Sequence, residues 1–156
     1  MSATVMQPPR KIGLISGEFA PMQGGVGDFT RELARELAAL GHAVHILTRA
    51  GCLADDLPAG CVLYPLVDRW DWSLAGRLRG WVQRNGLQVL NLQYQAAAYD
   101  MHPAVNLLPG RLQGAPLVVT YHDLKVPYLF PKAGPLRWLA VRWLARRAAG
   151  VIVTNR

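Results

Sequence analysis

Short apolar runs alternate with amphipathic stretches along the whole chain. The apolar runs Lys11–Ser16, Ala43–Thr48, Cys61–Tyr64, Val89–Leu92, Pro116–Tyr121 and Gly150–Thr154 predict six strands. Leu117-Val118-Val119 and Val151-Ile152-Val153 are unbroken and rich in β-branched residues. Runs of that kind predict strands covered on both faces, as in a parallel sheet.

Between them lie helical patterns. Phe29, Leu33, Leu37 and Leu40 fall on one side of a helix, with Arg31, Glu32, Arg35 and Glu36 on the other, and Gly41 stops it. A second helix is predicted from Ser73 to Asn85 around Leu74, Leu78, Trp81 and Val82, ended by Gly86. A weaker one spans Pro103–Leu112, with Pro109 inside it. The last runs from Pro135 to Ala149, with proline in a tolerated opening position. This alternation predicts an α/β fold: a doubly wound, mostly parallel sheet flanked by helices, with right-handed connections. In such sheets ligands gather beyond the carboxyl ends of the strands, where the strand order switches.

The segment between the first strand and the first helix, Ser16 to Thr30, is rich in glycine: Gly17, Gly24, Gly25 and Gly27. A glycine-rich turn into a helix N-terminus leaves unpaired N–H groups and partial positive charge, which suits a phosphate or another anion. The structural alternative is that the glycines relieve crowding in the turn. The stretch is not a P-loop, since no Gly-Lys-Ser/Thr follows. It is not a dinucleotide fingerprint either, because Thr30 stands where a small residue is needed and no acidic residue ends the second strand. NAD is not expected.

Two further segments should reach the same rim: Gln93-Tyr94-Gln95 after the fourth strand and Tyr121-His122-Asp123 after the fifth. Gln93, Tyr94 and Gln95 offer uncharged donors and acceptors, which suits sugar or base recognition and equally suits a polar strand exit. His122 can exchange hydrogen bonds with a hydroxyl near neutral pH, and Asp123 can orient it or cap the next turn. Glu18 and Asp28 flank the glycine turn. Asp28 favours a helix N-terminus electrostatically, or receives hydroxyls of an acceptor. No Ser/His/Asp triad and no metal cluster can be assembled.

Size and composition narrow the classes. With 156 residues, half of them hydrophobic, the chain reads as one ordered domain, residues 1–156. Its formal charge is +7, from 17 Lys+Arg against 10 Asp+Glu, and only three of those cations are lysines (Lys11, Lys125 and Lys132). The charge forms no tract, so a nucleic-acid surface is not expected. Arg137, Arg142, Arg146 and Arg147 share the last helix with Trp138 and Trp143. That helix reads as core-packed with a solvated basic face, or as an interfacial helix beside anionic lipid. Cys52 and Cys61 fit free thiols in a reducing compartment. No signal peptide or membrane-spanning run is read, so a cytoplasmic protein is expected, with peripheral contact at the inner membrane face as an option.

Taken together, four features resemble the N-terminal domain of a retaining glycosyltransferase of the GT-B fold, family 4. They are the Lys11–Ser16 strand, the Gly24-Gly25-Val26-Gly27 turn with its helix ending in Leu40-Gly41-His42, the Thr120-Tyr121-His122-Asp123 exit, and the Gly150–Thr154 strand. The resemblance covers nearly the whole chain. It implies a Rossmann-like lobe that binds the acceptor, facing a second lobe that binds a nucleotide-diphosphate sugar. It implies Gly24, Gly25 and Gly27 near the donor diphosphate and His122 as the catalytic-site histidine touching the donor sugar. Glu18, Asp28, Gln93, Tyr94 and Asp123 are then acceptor-side candidates. It also implies metal-independent chemistry, no bound cofactor, and a sugar, lipid or polysaccharide acceptor. The family's second lobe carries two glutamates eight positions apart and an Arg/Lys pair, and this sequence stops at Arg156. It is therefore expected to be one domain of a longer protein, inactive alone. The competing readings are a stand-alone basic module for a membrane surface or nucleic acid, and another enzyme of the same fold, such as an epimerase.

Overall fold

A computed structural model describes residues 8–53, 55–122 and 134–154. Six strands form a single sheet: β1 (Lys11–Ser16), β2 (Ala43–Arg49), β3 (Cys61–Val67), β4 (Val89–Tyr94), β5 (Leu117–Tyr121) and β6 (Gly150–Val153). Their order is β3-β2-β1-β4-β5-β6, and every pairing is parallel. The predicted Rossmann-like sheet is present. Its order reverses between β1 and β4, so the crevice where such folds bind ligands opens beyond Ser16 and Tyr94.

The helices are α1 (Gly25–Ala39), α2 (Leu74–Asn85) and α3 (Gly134–Arg147). Side chains alternate across the sheet and divide the core in two. Ile12, Leu14, Val44 and Ile46 pack with Phe19, in the loop after β1, and with Ala34 of α1. Ile15, Leu90, Leu92, Leu117 and Val119 pack on the other face with Trp81 of α2 and Leu144 of α3. Gly86 ends α2 in the left-handed conformation, and Gly41 follows α1 with φ +87°. Both stops are those expected of glycine.

Four expectations shift. The first helix begins at Gly25 rather than Phe29, so its buried positions are Val26, Gly27, Thr30 and Ala34. Phe29 and Leu40 lie outside that face, at 38% and 68% exposure. The segment 103–112 is not a helix. His102 Nδ1 accepts from the Ala104 N–H, and the amides of Asn106, Leu107 and Leu108 each bond three residues back. Tight turns and a short 3₁₀ piece (Leu108–Gly110) result, since the two prolines supply no amide donor. Val151, Ile152 and Val153 are about half exposed, because β6 is the sheet edge among the described residues. On α3, Leu144 is buried while Leu136, Trp138 and Leu139 are more than half exposed, so only its C-terminal half packs as a core helix.

Candidate functional site

The site is built outward from the end of β1. Ser16 Oγ donates to the Glu18 carbonyl (2.6 Å), turning the chain sharply out of the strand. Thr30 Oγ1 donates to the Val26 carbonyl (2.6 Å) and lies 3.3 Å from Ser16 Oγ, tying the first turn of α1 to the strand end. Phe19 is buried in the core and anchors the loop between them.

The glycines of this loop have different reasons to be glycine. A Cβ on Gly17 would stand 2.3 Å from the Ala98 carbonyl oxygen, so here two backbones touch. On Gly27 it would press on the backbone of Glu18 and Phe19 at 3.3 Å. On Gly24 it would meet the Glu18 carboxylate, 2.0 Å from Oε2. Gly25 differs from all three: nothing described lies within 4 Å of its Cβ position, and its φ is not in the left-handed region. Crowding within the described chain explains Gly17 and Gly27. It does not explain Gly25, where α1 opens onto space free of described atoms.

Glu18 is half-buried beside Gly24, and burial holds its carboxyl above the ordinary glutamate range. An acidic side chain of the protein itself therefore borders the helix N-terminus. Asp28 is exposed in the first turn of α1 and lies 3.4 Å from Arg31. Its role within the chain is a helix-dipole and ion-pair contact at the surface.

The exits of β4 and β5 are organised through side chains. His122 Nε2 lies 2.8 Å from Gln93 Oε1. Gln93 Nε2 donates to Asn91 Oδ1. Asn91 Nδ2 donates to Thr120 Oγ1 (3.0 Å), and that hydroxyl returns a bond to Asn91 Oδ1 (3.2 Å). Gln93 and Thr120 are register partners on adjacent strands. Gln93 is fully buried, so its amide serves the interior of the fold rather than an open surface. Burial lowers the pKa of His122 below the ordinary histidine value, which favours the neutral ring.

The two halves meet. The Phe29 ring stands edge-on to His122 with centroids 4.7 Å apart. The glycine turn and the histidine exit therefore share one rim, at the carboxyl ends of β1, β4 and β5. Asp123 lies outside the described residues. Sequence reasoning had placed Phe29 on the core face and missed Asn91 and Thr120. The available signal was the polar pair Asn91-x-Gln93 in a strand otherwise apolar.

Tyr94 turns to the other side of the sheet. It receives a hydrogen bond from Asn106 Nδ2 (2.8 Å) and packs edge-on against Tyr121, with centroids 5.2 Å apart. It helps line an apolar cavity of about 400 Å³ with Tyr99, Met101, Val105, Leu136 and Ala140. The cavity wall is held by Tyr99, whose hydroxyl shares its proton between the carbonyls of Ile15 (2.9 Å) and Gln93 (2.8 Å). Asp100 and Met101 are both in the left-handed region, and Arg49 holds the Asp100 carboxylate at 2.8 Å.

Residues 24–156 match the family model described as "Glycosyl transferase 4-like domain". The chain belongs to this family. The glycosyl transferase 4-like domain also superposes on sucrose-phosphate synthase from Thermosynechococcus elongatus, with a TM-score of 0.69 and 19% identity over 94% of this chain and 42% of that one. A glycosyltransferase from Rickettsia africae matches with a TM-score of 0.56 and 18% identity, over 78% of this chain and 32% of that one. At such identities the likeness is one of fold. The chain spans less than half the length of either structure. No curated protein matches it by sequence. Among the described residues, no helix is long and apolar enough to cross a membrane.

Proposed function

We propose that this domain is the acceptor-binding half of a nucleotide-sugar-dependent glycosyltransferase that acts with retention and without a metal ion. The observation that carries the reading is the 4.7 Å contact between Phe29 and His122. It joins an open glycine turn at a helix N-terminus to a half-buried histidine at the end of β5, one strand from the switch point of a parallel sheet.

In this reading Gly25 lets a diphosphate approach the first amides of α1, whose dipole favours the charge that develops as the nucleotide departs. Gly24 and Gly27 support the turn. His122 hydrogen-bonds a hydroxyl of the donor sugar. Glu18, with its raised carboxyl, receives an acceptor hydroxyl, and Asp28 borders the same entry. Gln93 acts from behind His122 and Tyr94 from the cavity. A second lobe holds most of the donor, so the present chain alone does not turn over.

The acceptor side also carries the apolar cavity, with Leu136, Trp138 and Leu139 exposed on the adjoining helix. We propose an acceptor with an apolar portion, met at a membrane surface. Sedimentation with anionic vesicles tests this contact: loss of binding in Trp138→Ser is expected, and no binding by the unaltered protein contradicts it.

The test of the main reading is transfer from a panel of nucleotide sugars by the full-length protein. Transfer that falls roughly 10²-fold in His122→Ala, as for loss of one transition-state hydrogen bond, is the expected result. Unchanged turnover removes the assignment.

A further inference from the structure

We infer that Asn91, Gln93 and Thr120 are positioning residues, a buried amide relay that holds His122 as its Nε2–H form with the lone pair on Nδ1. The inference rests on the proposed role of His122 and specifies how that ring is presented.

The relay lies on an unusual surface. On the α1 side of the sheet, β1 and β2 present Ile12, Leu14, Val44 and Ile46. On the same side β4 and β5 present Asn91, Gln93 and Thr120, which are 8%, 0% and 1% exposed. Burying two amides and a hydroxyl is unfavourable unless each finds partners. Aliphatic residues at these positions would serve the core better, as they do on the neighbouring strands. The three side chains instead hydrogen-bond one another in a line that ends at His122.

Asn91 Nδ2 donates to the Thr120 hydroxyl, and Asn91 Oδ1 accepts from both that hydroxyl and Gln93 Nε2. Gln93 directs Nε2 at that oxygen, which turns Oε1 toward His122. A carbonyl oxygen only accepts, so with Gln93 in this orientation the ring nitrogen 2.8 Å from Oε1 is the donor. The relay thus sets the tautomer of His122 by the hydrogen bond at its second nitrogen, the usual way imidazoles are oriented. Phe29 packs edge-on against the ring and limits its rotation. Nδ1 is then the nitrogen that can accept a hydrogen bond or take up a proton.

The experiment is nitrogen NMR of histidine-labelled full-length protein, with His122 assigned by its loss in His122→Gln. The neutral ring is expected to be protonated at Nε2. Gln93→Glu keeps an acceptor and adds a negative charge, so the His122 midpoint should rise by about 1–3 units with Nε2–H retained. Gln93→Leu should abolish the Nε2–H preference. A neutral ring protonated mainly at Nδ1 in the unaltered protein overturns the inference, whatever the variants do to folding. So does a tautomer ratio unchanged in a folded Gln93→Leu. Failure of the sugar-transfer reading is a separate result: His122→Ala would then turn over normally while the unaltered protein still showed Nε2–H.

Discussion

At the glycine turn the backbone is open at Gly25, with the Glu18 carboxylate beside Gly24. At the exits of β4 and β5 a side chain is present and its supports are buried. Gly25 has nothing described within 4 Å of its Cβ position, whereas Gln93 has no exposed surface at all. The two regions face each other across the Phe29–His122 contact. In the proposed reading one half of the rim offers main-chain N–H groups and a helix dipole to the donor diphosphate. The other offers an oriented ring to a hydroxyl of the donor sugar.

The contrast fails if the glycine turn is merely crowded, and glycine variants separate the cases. Gly17→Ala is expected to cost about 3 kcal/mol or more, since its Cβ meets a carbonyl oxygen that cannot yield as a side-chain end can. Urea unfolding measures it, and a loss below about 1 kcal/mol would refute the close approach. Gly25→Ala is expected to leave stability within about 1 kcal/mol, with alanine the better helix former, while slowing transfer about tenfold. Equal losses of stability and rate at Gly25 would make it a packing glycine like Gly17.

Smaller effects come from titration. Burial lowers the folded-state pKa of both His122 and His45, and the nearby Lys11 lowers His45 further. The unfolded chain therefore binds more protons below about 6.5, and stability falls as the pH drops through the folded values. Urea midpoints that stay flat between neutral pH and about pH 5 would contradict this. Glu18 has the opposite shift, so its contribution worsens as the pH rises through its raised value. Glu18→Gln should remove that small decline. An unchanged slope would mean that its carboxylate is not desolvated.

The fold was legible because buried parallel strands leave unbroken apolar runs. All six strands start within one residue of their expected positions. The start of α1 was not legible. Gly25 and Gly27 are poor helix formers, and the turn forms because Val26 is buried and Thr30 is tied to Ser16. The 103–112 segment carried a helical spacing that its prolines and the His102 cap overrode. The rim was legible as three converging segments. The role of Gln93 was not, since nothing local distinguishes a ligand-facing amide from one that faces Asn91 across a buried sheet face.

The most direct measurement is a double-mutant cycle of sugar transfer in the full-length protein, with Gly25→Ala, His122→Ala and the pair. If both regions grip one bound substrate, the double variant loses clearly less than the product of the single losses. Strictly multiplicative losses, or single variants that transfer at the unaltered rate, would contradict a shared site.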